Sequence, residues 1–384
     1  MTILENSPVT RARWLAVLAM AVGTFTVVTS EMAPVGLLTS IGGTLGVSDG
    51  TAGLMVSLPG LVAAVSAPVL ALATRRLDRR IPLLGLTALL AVANLAGALA
   101  PNFPVMLAAR VLTGVSIGGF WAFAAGLGPR LVPGRSVGRA TSIILGGVSV
   151  ASVLGVPAAT VVSSAAGWRT AFAVIGALAL VLLALLAAVL PPMPGDDPAT
   201  GSRVPLPGAL WAVLATTVLV VTGHFAAYTY VRPFLEQVAG AGPALVSAAL
   251  LVYGAAGVLG NFAAGARAAR NPKPVLIVLA LLIAVATAAL ALGGPLLLLL
   301  VVWGLGYGGV GVALQLWIMR TGAGELGTAL YVGAFNVSIA LGSFAGGRVV
   351  DGVSTSSAMW LGAALAVLTA AFAGRWGRSR TTGS

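Results

Sequence analysis

The stretch AFAVIGALALVLLALLAAVL, residues 171–190, runs without a single charge and then breaks into PPMPGDDP, residues 191–198. At about 1.5 Å per residue, a helix of that length crosses the roughly 30 Å of hydrocarbon in a bilayer. The segment after it is poor helix material, because each proline removes a backbone donor and crowds the preceding turn. A spanning helix followed by a mid-chain break predicts two membrane-embedded halves of nearly equal length.

The pattern repeats outward in both directions. Apolar runs of about 18–25 residues recur between short polar breaks. They predict spans at 14–37, 50–73, 81–99, 103–128, 136–163 and 168–190, and at 207–234, 243–266, 274–293, 295–319, 324–347 and 356–373. The expected fold is an all-α integral membrane protein of twelve transmembrane helices. It divides into a six-helix bundle over residues 1–190, a cytoplasmic linker over 191–206 and a second six-helix bundle over 207–384.

Composition agrees. The chain is 59% hydrophobic and 8% charged, against about 25% charged residues in a soluble domain. With no cysteine and one histidine, His224, disulfide frameworks, thiolate metal sites and Ser-His-Asp chemistry are excluded or disfavoured. No metal, cofactor or catalytic residue is expected, and no Gly-x-x-x-x-Gly-Lys-[Ser/Thr] phosphate loop is present to couple ATP. The polar residues 1–10 do not resemble a cleaved signal peptide.

The net charge of +12 is a topology signal. If the chain starts in the cytoplasm, Arg11, Arg13, Arg75, Arg76, Arg79, Arg80, Arg130, Arg135, Arg139, Arg203, Arg267, Arg270, Lys273, Arg320, Arg375, Arg378 and Arg380 all face it. These are 17 of the 21 basic residues. The positive-inside rule then places both termini in the cytoplasm of a multi-pass protein of the cell (inner) membrane. The cations meet lipid headgroups rather than nucleic acid.

The halves resemble each other at an offset of 193 residues. Arg80 falls on Lys273, Leu83 on Leu276, Leu89 on Leu282, Leu107 on Leu300, Leu112 on Leu305 and Gly118 on Gly311. At a slightly smaller offset, Val148-Ser149-Val150-Ala151 meets Val337-Ser338-Ile339-Ala340. A parallel duplication of this kind suits a transporter whose site lies between its halves near the midplane.

Charges inside spans cost on the order of 3 kcal/mol each and therefore mark function. Glu31 lies about 25 Å along the first span, and Arg110 enters the fourth from the other side to a similar depth. One reading is that Glu31 takes and releases a proton under the influence of Arg110. The other is that backbone carbonyls hold Arg110 while Glu31 faces a wet cavity. The offset sets His224 on Glu31 and Trp303 on Arg110. His224 is thus a second protonation site or a hydrogen-bonded cavity histidine. Thr26, Thr29, Ser30, Ser116, Trp121, Tyr228, Tyr230, Gln315, Trp317 and Asn336 stud these spans. Of these, Thr29, Trp121, Tyr228, Gln315, Trp317 and Asn336 are the candidates for binding an organic solute. The alternative for them is interhelical hydrogen bonding or interfacial anchoring.

Several stretches resemble the major facilitator superfamily, in particular its bacterial drug:proton antiporters. Residues 29–38, TSEMAPVGLL, look like the first-span motif of the sugar, purine-nucleoside and chloramphenicol exporters. Residues 107–114, LAARVLTG, are similar to the fourth-span motif, whose arginine that family links to proton coupling. Gly147 through Gly155-Val156-Pro157, ending in Gly167-Trp168-Arg169-Thr170-Ala171-Phe172, resembles the antiporter motif of the fifth span, with Ala158-Ala159 where a glycine pair is common. The family's loop between spans two and three reads Gly-x-x-x-Asp-Arg-x-Gly-Arg-Arg. Here Ala71 replaces the first glycine, Arg75 the acid and Asp78 the second glycine, while Arg79-Arg80 keep the basic pair.

The resemblance implies export of a small organic compound by proton antiport, with Arg110 in coupling, beside Glu31 and His224 as the coupling candidates that burial and the repeat supply. Gly155, Pro157, Asp78, Arg79 and Arg80 would serve in gating. The partners are then a small-molecule substrate, protons and membrane lipids, for a protein expected to be a monomer. A narrow-specificity sugar or nucleoside exporter or facilitator without proton coupling is the alternative within transport, and a non-transporting membrane sensor lies outside it.

Overall fold

The structure, a computed structural model, describes residues 11–74, 76–124, 127–195 and 208–376. Among these residues every regular element is helical, and twelve helices are long and apolar enough to cross a membrane. They are α1 (Arg11–Leu45), α2 (Asp49–Ala73), α3 (Arg80–Ala98), α4 (Phe103–Ala124), α5 (Val137–Ala166), α6 (Trp168–Val189), α7 (Gly208–Tyr228), α8 (Pro243–Ala268), α9 (Pro272–Ala291), α10 (Leu296–Met319), α11 (Gly327–Gly352) and α12 (Thr355–Arg375). Residues 196–206 of the expected linker, and Arg75, Arg203, Arg378 and Arg380, lie outside the described residues.

Large apolar side chains such as Leu72, Val181 and Phe262 are two-thirds exposed. Water would not tolerate such a surface on a stable monomer, whereas lipid is as apolar as the side chains themselves.

Two ends differ from the sequence expectation. Helix α1 runs on to Leu45, eight residues past 37, because nothing in 38–45 interrupts it before Gly46, which takes φ +68°. Helix α7 stops at Tyr228 rather than 234. A turn at Thr229–Tyr230 and a short helix at Val231–Pro233 lead into a single wide π turn, Phe234–Val238.

The chain forms two compact units. The first comprises Met1–Ser40 and Leu58–Gly201, and the second Ile41–Ser57 and Ser202–Ser384. In the first unit, Met20 of α1, Leu83 and Leu90 of α3, Phe120 of α4, and Leu182 and Leu186 of α6 close one apolar core. Met193, from the start of the linker, completes it.

Helix α5 rests on α1 through glycine. A Cβ at Gly147 would strike the Ala21 carbonyl, and one at Gly155 would come within 2.7 Å of Thr29 Oγ1. Between them α5 opens into a π turn, Ala151–Gly155. Pro157 explains the opening: it has no N–H to return to the carbonyl four residues earlier, at Val153.

In the second unit α7 packs on α11 and α12, and α8 on α10, where Gly304 and Gly308 face Tyr253 and Gly257. Small residues at these crossings let the backbones approach, which is how helices associate without a hydrophobic driving force between them.

Candidate functional site

Proline at position 34 sets up the first-unit site. It sits inside the continuous α1 helix, where its missing N–H leaves the carbonyl of Ser30, four residues back, without its helical donor. Arg110 of α4 supplies the replacement. Its Nη1 donates to Ser30 O at 2.9 Å and its Nη2 to Glu31 O at 3.1 Å. The guanidinium is 1% exposed and Glu31 8% exposed.

Asn94 of α3 steadies the same turn from another side. Its Nδ2 donates to Ser30 Oγ at 2.9 Å and to Leu90 O at 2.8 Å, and Ser30 Oγ donates to its Oδ1 at 3.0 Å. Three spans therefore fix the backbone that carries Glu31. The structure brings Arg110 onto the backbone carbonyls of the turn that carries Glu31. Asn94 and Pro34 were missed in the sequence, although the spacing from Ser30 to Pro34 was a legible signal.

The second unit has no proline at the corresponding place, which is Ala227. Its helix needs no rescue, and the residue in the register of Arg110 is free to address a side chain instead. Trp303 Nε1 donates to His224 Nδ1 at 3.2 Å. His224 Nε2 faces the Tyr253 hydroxyl at 3.4 Å. Around the imidazole, Tyr307 stacks at 3.3 Å and 5°, Tyr228 at 5.0 Å and 20°, and Tyr253 at 6.3 Å and 16°. Phe225 meets it edge-on at 5.0 Å. His224 is 1% exposed and Trp303 fully buried. Tyr253 and Tyr307 did not stand out in the sequence, because single aromatics in apolar spans carry no pattern.

The remaining candidates scatter. Thr29 is buried against Gly155, and its Oγ1 has no hydrogen-bond partner. Trp121 is half-buried, edge-on to Phe120 at 6.3 Å beside the first-unit core. Trp317 lies under Lys273, with Nζ 5.4 Å from its ring centroid. Gln315 and Asn336 are partly buried, and Asn336 Nδ2 donates to Val332 O at 2.9 Å. Of the three in the second unit, Gln315, Trp317 and Asn336, none joins the His224 cluster.

The loop between α2 and α3 is tied to the start of the linker. Asp78 Oδ1 accepts from Arg80 N and from Met193 N, each at 2.9 Å, and Arg79 N donates to Met193 O at 2.8 Å. Arg79 lies over the Phe123 ring at 5.1 Å, and Arg80 Nη2 donates to Ala187 O at 2.6 Å. Arg130 Nη1 donates to Pro194 O at 2.7 Å. The acid and the basic pair thus meet backbone within their own unit.

A second polar knot lies in the second unit. The connection between α1 and α2 is held by Asp351 near the end of α11. Its Oδ1 accepts from Gly50 N at 2.9 Å and its Oδ2 from Ser48 Oγ at 2.6 Å. Gln237 Nε2 donates to Asp49 Oδ2 at 2.7 Å, and Tyr230 OH to Ser343 O at 2.6 Å. Arg232 and Glu236 pair at 2.7 Å one turn apart. This network explains why Ile41–Ser57 groups with the second unit.

Known proteins resemble the chain along most of its length. The sequence model of the Major Facilitator Superfamily matches residues 20–329. A relative from Pseudomonas aeruginosa, named Transcription regulatory protein OpdE, is 36% identical over 380 residues, covering 95% of this chain and 94% of its own. Among solved structures, a mutant of the nucleoside transporter NupG superposes with a TM-score of 0.78 at 13% identity, covering 94% of this chain and 99% of the other. A bacterial homologue of the human lysosomal transporter Spinster, inward-facing and unoccupied, superposes at 0.73 with 17% identity and 95% of both chains. The superpositions establish a shared fold. With its family's model matched over most of its length, the chain belongs to the Major Facilitator Superfamily, a family of membrane transporters.

Proposed function

We propose that the protein exports a small organic compound in exchange for protons, by alternating access of its two units. The observation that carries this reading is Glu31. It is a carboxylic acid 8% exposed inside a membrane-crossing helix, on a turn whose carbonyls bind a buried guanidinium. Burying such a group costs free energy that a purely structural helix has no reason to bear. Glu31 is the proton carrier, and Arg110 positions it through the backbone.

His224 serves binding rather than coupling, because the Trp303 N–H occupies Nδ1 as a donor. Gly155 and Pro157 supply the flexible turn of α5, and Asp78, Arg79 and Arg80 the loop that tracks the linker. Thr29, Trp121, Gln315, Trp317 and Asn336 are further candidates for contact with the solute. The chain works as a monomer in the cell (inner) membrane with both termini cytoplasmic.

Proteoliposomes loaded with a pH-sensitive dye test the proposal. They are offered chloramphenicol, a purine nucleoside, a pentose or a lipophilic cation under a pH gradient. Proton flux that depends on one of these, and is lost in Glu31→Gln, supports antiport. Solute movement without proton flux sinks it in favour of a facilitator.

One observation favours a second reading. The relative that is 36% identical carries the name of a transcription regulator. On that reading the chain binds its solute and reports occupancy rather than moving it. Binding without flux of either solute or protons would favour it.

A further inference from the structure

The aromatic cluster of the second unit has a direction built into its hydrogen bonds. An indole N–H only donates. Trp303 donates to His224 Nδ1, so that nitrogen carries no proton. The single proton of the neutral ring is then on Nε2, and it points to the oxygen of Tyr253 at 3.4 Å. A phenol that accepts this bond still has its own O–H to place. Among the described residues no protein group accepts it. Tyr228, 7% exposed and stacked on Tyr253 at 4.8 Å, likewise has a hydroxyl without a protein partner. Two phenol O–H groups of one ring cluster are thus left without a protein acceptor and are free to donate to a solute.

From this geometry we infer that, on the transport reading above, Tyr228 and Tyr253 bind an uncharged, planar solute through its hydrogen-bond acceptors, such as an amide or ring carbonyl. The His224, Tyr228, Tyr253 and Tyr307 rings lie within 5–27° of parallel in a stack, so a flat molecule fits their orientation. A planar solute gains stacking contact on such a face. Charge is excluded by what the walls lack. Helices α7 and α10 carry no acidic or basic residue, and α8 carries only Arg267, in its last turn. Among the residues of these three helices no carboxylate is present to neutralise an organic cation, and the one arginine lies at the far end of α8.

Three flat molecules of one shape separate these cases: benzamide, benzamidine and benzoate. They are neutral, cationic and anionic at pH 7. Binding to the purified full chain in detergent is measured by calorimetry, with Tyr228→Phe and Tyr253→Phe alongside. Benzamide is expected to bind best. Each Tyr→Phe change should weaken it about threefold to tenfold, the worth of one hydrogen bond to an uncharged acceptor.

Tyr→Phe keeps the ring, and an unchanged melting temperature shows that each variant is folded. A preference for benzamidine or benzoate overturns the inference. So does equal benzamide affinity in the wild type and both phenylalanine variants, or no binding of any of the three. Because this is an equilibrium measurement that needs no proton flux, its failure leaves proton antiport standing. Failure of proton flux in proteoliposomes, in turn, leaves the binding result intact.

Discussion

Arg110 Nη1 donates at 2.9 Å to Ser30 O, the carbonyl that Pro34 deprives of its helical donor. The guanidinium therefore repairs a helix, and its value depends on the proline. In Pro34→Ala the restored N–H of residue 34 competes for the same oxygen. Arg110→Met should cost about 1–3 kcal/mol in the native sequence, since it strands the buried Ser30 carbonyl. In the Pro34→Ala background the cost should fall by about 1 kcal/mol. A double-mutant cycle on thermal unfolding in detergent reads the coupling. Additive effects would show that Arg110 acts elsewhere.

The same pair shows what the sequence disclosed and what it hid. Twelve spans were legible because lipid imposes one length and one composition on each helix. The register of 193 residues sets His224 against Glu31 and Trp303 against Arg110; in the structure Arg110 meets the Glu31 carbonyl and Trp303 the His224 ring. Chemistry at those contacts was not legible. Whether Arg110 reaches a side chain or a carbonyl depends on a helix defect four residues away, and Tyr253 and Tyr307 join His224 only through packing. The assignment of Ile41–Ser57 to the second unit was hidden for the same reason, since it rests on hydrogen bonds to residues some 300 positions away.

Glu31→Gln keeps the shape of the side chain and removes only its ability to exchange a proton. Because Arg110 holds the turn through carbonyls, the glutamine variant should fold with a melting temperature close to that of the wild type. Solute-driven proton flux should fall to the level of empty liposomes. A variant that still moves protons at more than about a tenth of the wild-type rate would remove Glu31 from the coupling step.

His224 is the single histidine of the chain, so imidazole-labelled protein gives one set of nitrogen resonances. The Trp303 bond fixes the expected spectrum: a protonated Nε2 and an unprotonated, hydrogen-bonded Nδ1. Trp303→Phe keeps the packing of an aromatic ring and deletes the donor. It should release the tautomer into a mixture and destabilise the protein by about 1–3 kcal/mol, the cost of an unmet buried acceptor. A wild-type ring protonated on Nδ1 would contradict the direction of the whole chain of hydrogen bonds.

Asp351 holds the connection between α1 and α2 with both carboxylate oxygens, one on Gly50 N and one on Ser48 Oγ. Bonds to a charged acceptor are worth about 1.5–3 kcal/mol each. Asp351→Ala should therefore free the segment more readily than it unfolds the protein. The chain has no cysteine, so a single reporter can be placed without background. Ala52 is fully buried beneath this connection. In the Ala52→Cys variant, maleimide labelling should be slow, and adding Asp351→Ala should speed it by about tenfold or more, following the rise in the open population. Asp351→Asn, which keeps one acceptor for Gly50, should fall between the two. Equal labelling in all three would mean that glycine packing against α11 holds the segment, and that the carboxylate only decorates it.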